Sequence, residues 1–214
     1  MTKASEFARA LEESAPRYGV RLDGQTRARL REYYELVTAW NARLHLVAPC
    51  SPAEFAARHV LESLLALPHI AGGAHVADVG SGAGLPAIPC LIARADLSAT
   101  LIEASPKKAV FLREAVGRAG AHERAKVIAA RFEKTQAPDA SYVTCRALDR
   151  FTELLPALVA WSPPGSTLLL FGGDALRERL AKVGLIYQAQ RLPESERRFL
   201  FIINKESKAQ SQEV

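Results

Sequence analysis

The spacing of apolar positions changes character near residue 73. Over residues 5–18, Phe7, Leu11 and Ala15 recur four apart, which predicts an amphipathic helix with Ser5 as its cap. Gly19 and the RLDG that follows end it. A longer helix is predicted over residues 25–46. Its apolar stripe is Leu30, Tyr33, Tyr34, Val37, Trp40 and Leu44, and Pro49 and Pro52 lie beyond its end. Ser51-Pro52-Ala53-Glu54 then has the form of a helix start: a hydroxyl cap, a proline in the first turn, and a glutamate to close a capping box. That helix is expected to run to about Leu67, before Pro68.

After Gly72-Gly73, short apolar runs alternate with helical stretches. Strands are predicted over residues 75–79, 98–103, 126–129, 141–145, 166–171, 185–190 and 199–204, and helices over 86–94, 106–119, 148–161 and 175–183. Such alternation predicts an α/β unit whose mostly parallel sheet is covered by helices on both faces. Only LPESERR separates the last two strands, so these are expected to pair antiparallel at the sheet edge. The organisation expected is a helical extension over residues 1–72, a Rossmann-like domain over 73–205 and a polar, frayed tail over 206–214.

Composition narrows the class. Apolar residues make up 49% of the 214, enough for a sizeable core and too many for a disordered chain. A formal charge of +5 suits a polyanion such as nucleic acid without establishing one. Cys50, Cys90 and Cys145 are widely spaced and form no CxxC, so neither a metal site nor a disulfide framework is expected, and the thiols suit a reducing cytosol. The first residues, MTKASEFARALEES, lack the apolar core of a signal peptide, and no apolar run reaches membrane-spanning length. A cytoplasmic protein is expected.

The chemistry concentrates in VADVGSGAGLPAIP, between the first predicted strand of the sheet and the helix after it. Open α/β sheets bind ligands there, beyond the carboxyl ends of their strands. A dinucleotide fingerprint would need its third glycine where Leu85 stands, and a phosphate loop would need a lysine where Leu85-Pro86 follows. Asp78, Gly80, Gly82 and Gly84 instead have the D-x-G-x-G-x-G spacing of S-adenosylmethionine binders. Glycine admits a ligand close to the backbone. Asp78 is expected either to take the amino group of the cofactor or to hold the loop, and Glu103, ending the second strand, to accept the ribose hydroxyls. After the third strand, Phe132 and Glu133 are expected to frame the adenine.

Several segments together resemble a known family. These are Trp40-Asn41 with HLVA, Arg58-His59 with Glu62-Ser63, DVGSGAGLPAIP, LIEASPKKAVFL, Arg131-Phe132-Glu133 and Thr144-Cys145-Arg146-Ala147. The chain resembles, over nearly its whole length, the RsmG (GidB) family of bacterial 16S ribosomal RNA guanine-N7 methyltransferases. The glycine run with both Pro86 and Pro89 is the most specific part. The resemblance implies a class I S-adenosylmethionine-dependent methyltransferase fold with a seven-stranded sheet. Its cofactor residues would include Gly80, Leu85, Phe132, Glu133 and Arg146, with Lys107 and Lys108 as a basic pair. The chain departs from the family pattern at His45, often Asn there; at Glu62, often Asp; at Cys145, commonly Ser; and at Phe171-Gly172, often Lys-Gly.

Guanine N7 carries a free lone pair, so methyl transfer to it needs no general base. The work expected of the enzyme is placement and electrostatics. Arg146, at the end of the fourth strand, is expected to position guanine O6, an RNA phosphate or the cofactor; the alternative is a salt-bridged structural arginine. N7 is inaccessible in duplex RNA, so the target guanine should lie in a loop, bulge or exposed fold. Lys107, Lys108 and Arg113, and further off Arg27, Arg29 and Arg31, are candidates for phosphate contacts, although each also suits a solvated surface. Trp40 is read as helix core and His59 as a structural hydrogen-bonder. The implied partner is 16S RNA in the small ribosomal subunit, and the protein is expected to be monomeric. The competing readings are a methyltransferase for another acceptor and a ribosome-assembly factor with a vestigial cofactor site.

Overall fold

The computed structural model describes residues 2–146 and 150–205. Its centre is a seven-stranded sheet in the order β3-β2-β1-β4-β5-β7-β6. The strands are β1 His75–Val79, β2 Ser98–Glu103, β3 Ala125–Ala129, β4 Tyr142–Arg146, β5 Thr167–Gly173, β6 Gln188–Arg191 and β7 Arg198–Asn204. β1 to β5 run parallel, and β7 inserts antiparallel between β5 and β6. The central strands are apolar and buried on both faces, as parallel strands under helices must be; the two edge strands, β3 and β6, are partly exposed, and β6 is largely polar. The direction of winding reverses between β1 and β4, which opens the crevice beyond their carboxyl ends.

Two helical layers cover the sheet. On one face, residues alternating through the strands (Ile102, Val143, Leu168, Leu170) pack against α7 (Phe151–Trp161) and α8 (Asp174–Lys182). On the other face, Leu101, Leu169, Leu200 and Ile202 share a core with α5 (Ala87–Ala93) and α6 (Pro106–Arg118). The N-terminal helices join that same core. They are α1 (Lys3–Ser14), α2 (Gly24–Leu44), and a third helix that begins as α3 (Pro52–Glu54), widens to π-helical hydrogen bonding over Phe55–Leu61, and closes as α4 (Glu62–Leu64). Phe7 stacks on Tyr34 with ring centroids 4.5 Å apart, and Phe55 meets both rings edge-on. Among the described residues, no helix is long and apolar enough to cross a membrane.

β1 and β2 have the predicted ends, and the capping box at Ser51 and Glu54 forms. Other ends move. α1 starts earlier, because the Thr2 hydroxyl accepts from the Ser5 amide and Ser5 returns the bond to the Thr2 amide; Ser5 completes the box and is not the cap. α5 begins at Ala87, after a cis Leu85–Pro86 bond, so Pro86 precedes the first turn. β5 extends through Gly172 and Gly173, which find partners in Phe199 and Arg198. β6 is shorter than predicted and begins at Gln188, opposite Ile202. The start of the helix predicted from residue 148, Ala147, and the polar tail lie outside the described residues.

Candidate active site

The glycine loop leaves β1 at Asp78-Val79 and turns back over β2. The amides of Gly80 and Ser81 both donate to the Ile102 carbonyl, at 2.9 and 3.2 Å. Gly80, Gly82 and Gly84 have φ of 69°, 53° and 84°, the left-handed region where a side chain is strained. Gly84 is constrained twice, because a Cβ there would lie 2.4 Å from Ile88 Cγ1. Glu103 clasps the loop from β2: one carboxylate oxygen accepts from the Gly82 amide and the other from the Ser105 amide, each at 2.8 Å. Each oxygen keeps a further lone pair for a ligand hydroxyl. From the N-terminal layer, buried Tyr33 donates its hydroxyl to the Ala83 carbonyl at 2.7 Å. Burial pushes the phenol well above its ordinary range, so it stays a donor.

Asp78 is fully enclosed. Its Oδ1 accepts from the Thr144 hydroxyl at 2.7 Å, and Oδ2 has no hydrogen-bond partner among the described residues. Burial raises its pKa to about 7, against the pull of its hydrogen bonds. A buried carboxylate oxygen without a donor is the feature a ligand ammonium would complete. Beyond the loop opens a cleft of about 210 Å³, walled by Gly80, Ile102, Ala130, Phe132, Glu133 and Leu154, with Arg131 and Arg150 at its sides. Phe132 is anchored edge-on to Trp161 at 5.7 Å, and Glu133 pairs with Arg131 at 3.5 Å. Apolar walls, a lining acid in Glu133, and a glycine backbone held by Asp78 and Glu103 fit a cationic amino-acid nucleoside.

The sequence-predicted residues thus divide. Gly80, Phe132 and Glu133 line the cleft. Asp78, Gly82, Gly84 and Glu103 form its supporting loop, while Leu85 is buried in the core shared with the N-terminal helices. Arg146 lines a different cavity, of about 330 Å³, at the carboxyl ends of β4 and β5. It is also salt-bridged: its Nη2 lies 3.0 Å from Glu62 Oε2 and 2.6 Å from the Arg58 carbonyl, and its guanidinium sits over the Phe171 ring at 5.4 Å. Arg146 thus lies outside the cofactor cleft and is ion-paired, as the structural alternative expected, while also facing a cavity.

Arg198, which the sequence reading did not single out, approaches the other oxygen of Glu62 at 2.5 Å, off the line of a hydrogen bond. Burial raises the pKa of Glu62 despite the two guanidinia that oppose the shift. His59, beside this group, is driven down to about 4 by burial and the neighbouring arginines, so it is neutral. Lys107 and Lys108 stand in the first turn of α6, just beyond Glu103, and Arg113 lies farther along that helix. Arg27, Arg29 and Arg31 line neither cavity. Arg27 pairs with Glu12, Arg31 with Glu35, and the Arg29 guanidinium packs under Gly120. Trp40 packs on Phe111 and donates to Glu114 at 3.1 Å.

This sheet order, with a glycine loop after β1 and an acid ending β2, is that of a class I S-adenosylmethionine-dependent methyltransferase. Similar solved folds include an RNA methyltransferase from Salinibacter ruber in complex with S-adenosyl-L-homocysteine (TM-score 0.53, 16% identity, covering 77% of this chain and 97% of that one). A precorrin-6y C5,15-methyltransferase from Geobacter metallireducens is another (TM-score 0.52, 15% identity, 67% and 87% covered). The model of the GidB family, rRNA small subunit methyltransferase G, matches residues 26–199. Relatives named ribosomal RNA small subunit methyltransferase G include one from Sorangium cellulosum, 37% identical over 81% of this chain and 75% of that protein. Another, from Xanthomonas campestris pv. campestris, is 36% identical over 86% and 90%. The chain belongs to the rRNA small subunit methyltransferase G family, and it is an S-adenosylmethionine-dependent rRNA methyltransferase.

Proposed function

We propose that this protein transfers a methyl group from S-adenosylmethionine to N7 of one guanine in 16S ribosomal RNA. The observation that carries the choice of atom is the state of Glu62. Among the described residues lining the 330 Å³ cavity it is the one acid, and both of its oxygens face guanidinia. His59, driven down to about 4, is a weak base, and among the described residues lining the cavity no acid or imidazole besides the ion-paired Glu62 is present to take up a proton. An amine or hydroxyl acceptor would need that step, whereas N7 attacks with its own lone pair.

The cofactor supplies an electrophilic methyl group on a sulfonium centre. Around it, Asp78 takes the ammonium, Glu103 the ribose hydroxyls, Phe132 and Glu133 the adenine, and the Gly80–Gly84 backbone approaches closely. Arg146 positions the acceptor. A guanidinium directed at O6 leaves the N7 lone pair free; one at N7 would oppose the positive charge that forms there. Lys107, Lys108 and Arg113 hold RNA phosphates. Residues 1–72 serve as a helical wall to a transfer domain over 73–205. The protein acts as a monomer in the cytoplasm, on 16S RNA within the small ribosomal subunit.

Methyl-labelled S-adenosylmethionine tests this directly. The protein is incubated with small subunits, and separately with naked 16S RNA, from cells lacking the enzyme. Label on one alkali-labile guanine is the expected result. Label on an exocyclic amine or a ribose, or transfer to neither RNA while the cofactor binds, would overturn the assignment.

A further inference from the structure

Four separate stretches of chain meet at Glu62. The end of the third helix brings the carboxylate, β4 brings Arg146, β5 brings Phe171 beneath it, and the first residue of β7 brings Arg198. Phe171 pairs with Arg146 on one side of β5 and Gly173 with Arg198 on the other, so the two arginines flank β5 at positions two residues apart along it. The Glu62 side chain has no exposure, that of Arg146 has 14% and that of Arg198 28%. Both guanidinia wall the 330 Å³ cavity, whose other surfaces include Phe151, Phe171, Leu176 and Leu192.

A buried carboxylate between two arginines contributes little stability by itself. Desolvation consumes most of the Coulomb gain, and apolar side chains of the same volume would serve a core as well. What the trio does provide is direction. A guanidinium on a long side chain has many rotamers, and a fixed carboxylate selects one. The trio also retains one net positive charge, and Arg146 Nη1 is buried with no acceptor among the described residues. The result is a cavity with apolar walls for the faces of a flat ring and fixed N–H groups for its polar edge, about the lower end of the size of small-ligand sites. Arginine facing guanine O6 is a common pairing of this kind.

We propose that Glu62 is a positioning residue for methyl transfer: its buried carboxylate aims Arg146 and Arg198 into the cavity and so sets the seat of the acceptor guanine. This rests on the proposed transfer to RNA. Glu62 touches neither substrate nor cofactor; it acts through the two arginines.

The test compares E62Q, E62D, R198Q and the double variant E62Q/R198Q with the parent. Four quantities are read: methyl transfer to RNA, KM for RNA, Kd for S-adenosylmethionine, and Tm. E62Q is expected to lose about tenfold or more in kcat/KM for RNA while cofactor Kd stays within about twofold, because the cleft does not include Glu62. E62D, which keeps the charge, is expected to recover part of that loss. The double variant should be little worse than the poorer single one, since both changes disable one clamp. Transfer by E62Q within twofold of the parent, or losses that multiply in the double variant, would overturn the proposal. If E62Q does not fold, E62D decides: lost transfer at an unchanged Tm supports positioning, and lost transfer that follows Tm overturns it. An active parent with indifferent variants removes the role of Glu62 alone. A parent that methylates no RNA removes the proposed function and this role with it.

Discussion

Asp78, proposed to take the cofactor's ammonium, is held at the expense of the fold. Its pKa in the folded protein, about 7, exceeds the ordinary 3.8 because it is enclosed. Between those values the folded chain holds a proton that the unfolded chain has released. The stability contributed by the group is therefore complete below about pH 4 and is lost as pH rises through 7. Asp78→Asn cannot ionise and still offers an oxygen to Thr144. In the ligand-free protein it is expected to raise Tm by a few degrees at pH 8, with the difference shrinking toward pH 4. It should also weaken S-adenosylmethionine binding at pH 8, where a neutral amide cannot balance an ammonium. Thermal scans at the two pH values and calorimetric titration check both halves; an equal Tm shift at both pH values would show that Asp78 does not titrate as described. The sequence made Asp78 visible as the acid before the glycines, but not its enclosure, which comes from the surrounding strands and loop.

At the scale of elements, the glycine loop was legible and its supports were not. The spacing of three glycines is local, and so are the strand-to-helix transition and the acid at the end of β2. Tyr33, however, reaches Ala83 across 50 residues, and Arg146 reaches Glu62 across 84. In the sequence Tyr33 is one more apolar position of a helical stripe, Glu62 part of a family segment with no role assigned, and Arg198 part of a connecting segment; only the packing of the N-terminal layer on the sheet brings them together. The widened turn over Phe55–Leu61 is similarly invisible to a 3.6-residue pattern. Within the loop the glycines are not equivalent. Gly84→Ala meets both a left-handed backbone and Ile88 at 2.4 Å, whereas at Gly82 the nearest atom to a new Cβ is 3.7 Å away. Strain alone costs about 1–2 kcal/mol, and overpacking adds about 1–3 kcal/mol. Gly84→Ala is therefore expected to lower Tm by clearly more than Gly82→Ala. Equal shifts in a thermal melt would mean that Ile88 yields freely and that the close packing at Gly84 is not a constraint.

For the whole molecule, the decisive question is how a chain of only +5 formal charge engages a polyanion. Much of its surface charge is internally matched: Arg17 with Glu194, Arg58 with Glu54, Arg150 with Glu153 and Arg197 with Asp174. Lys107, Lys108 and Arg113 form no ion pair among the described residues. Two lysines in the first turn of α6 also oppose the helix dipole, an arrangement that costs a little stability and suits an anion arriving from outside. They stand at the carboxyl edge of the sheet, just beyond Glu103, where the proposed RNA contacts are placed. The double variant K107A/K108A is accordingly expected to keep its Tm or gain slightly, and to keep its affinity for S-adenosylmethionine. Its affinity for RNA should fall, and the slope of log K against log salt should become shallower by about 1.4, two phosphate contacts at about 0.7 each for single-stranded RNA. Filter binding over a salt series measures that slope. An unchanged slope would place the RNA backbone on another face of the protein, whatever the change in affinity.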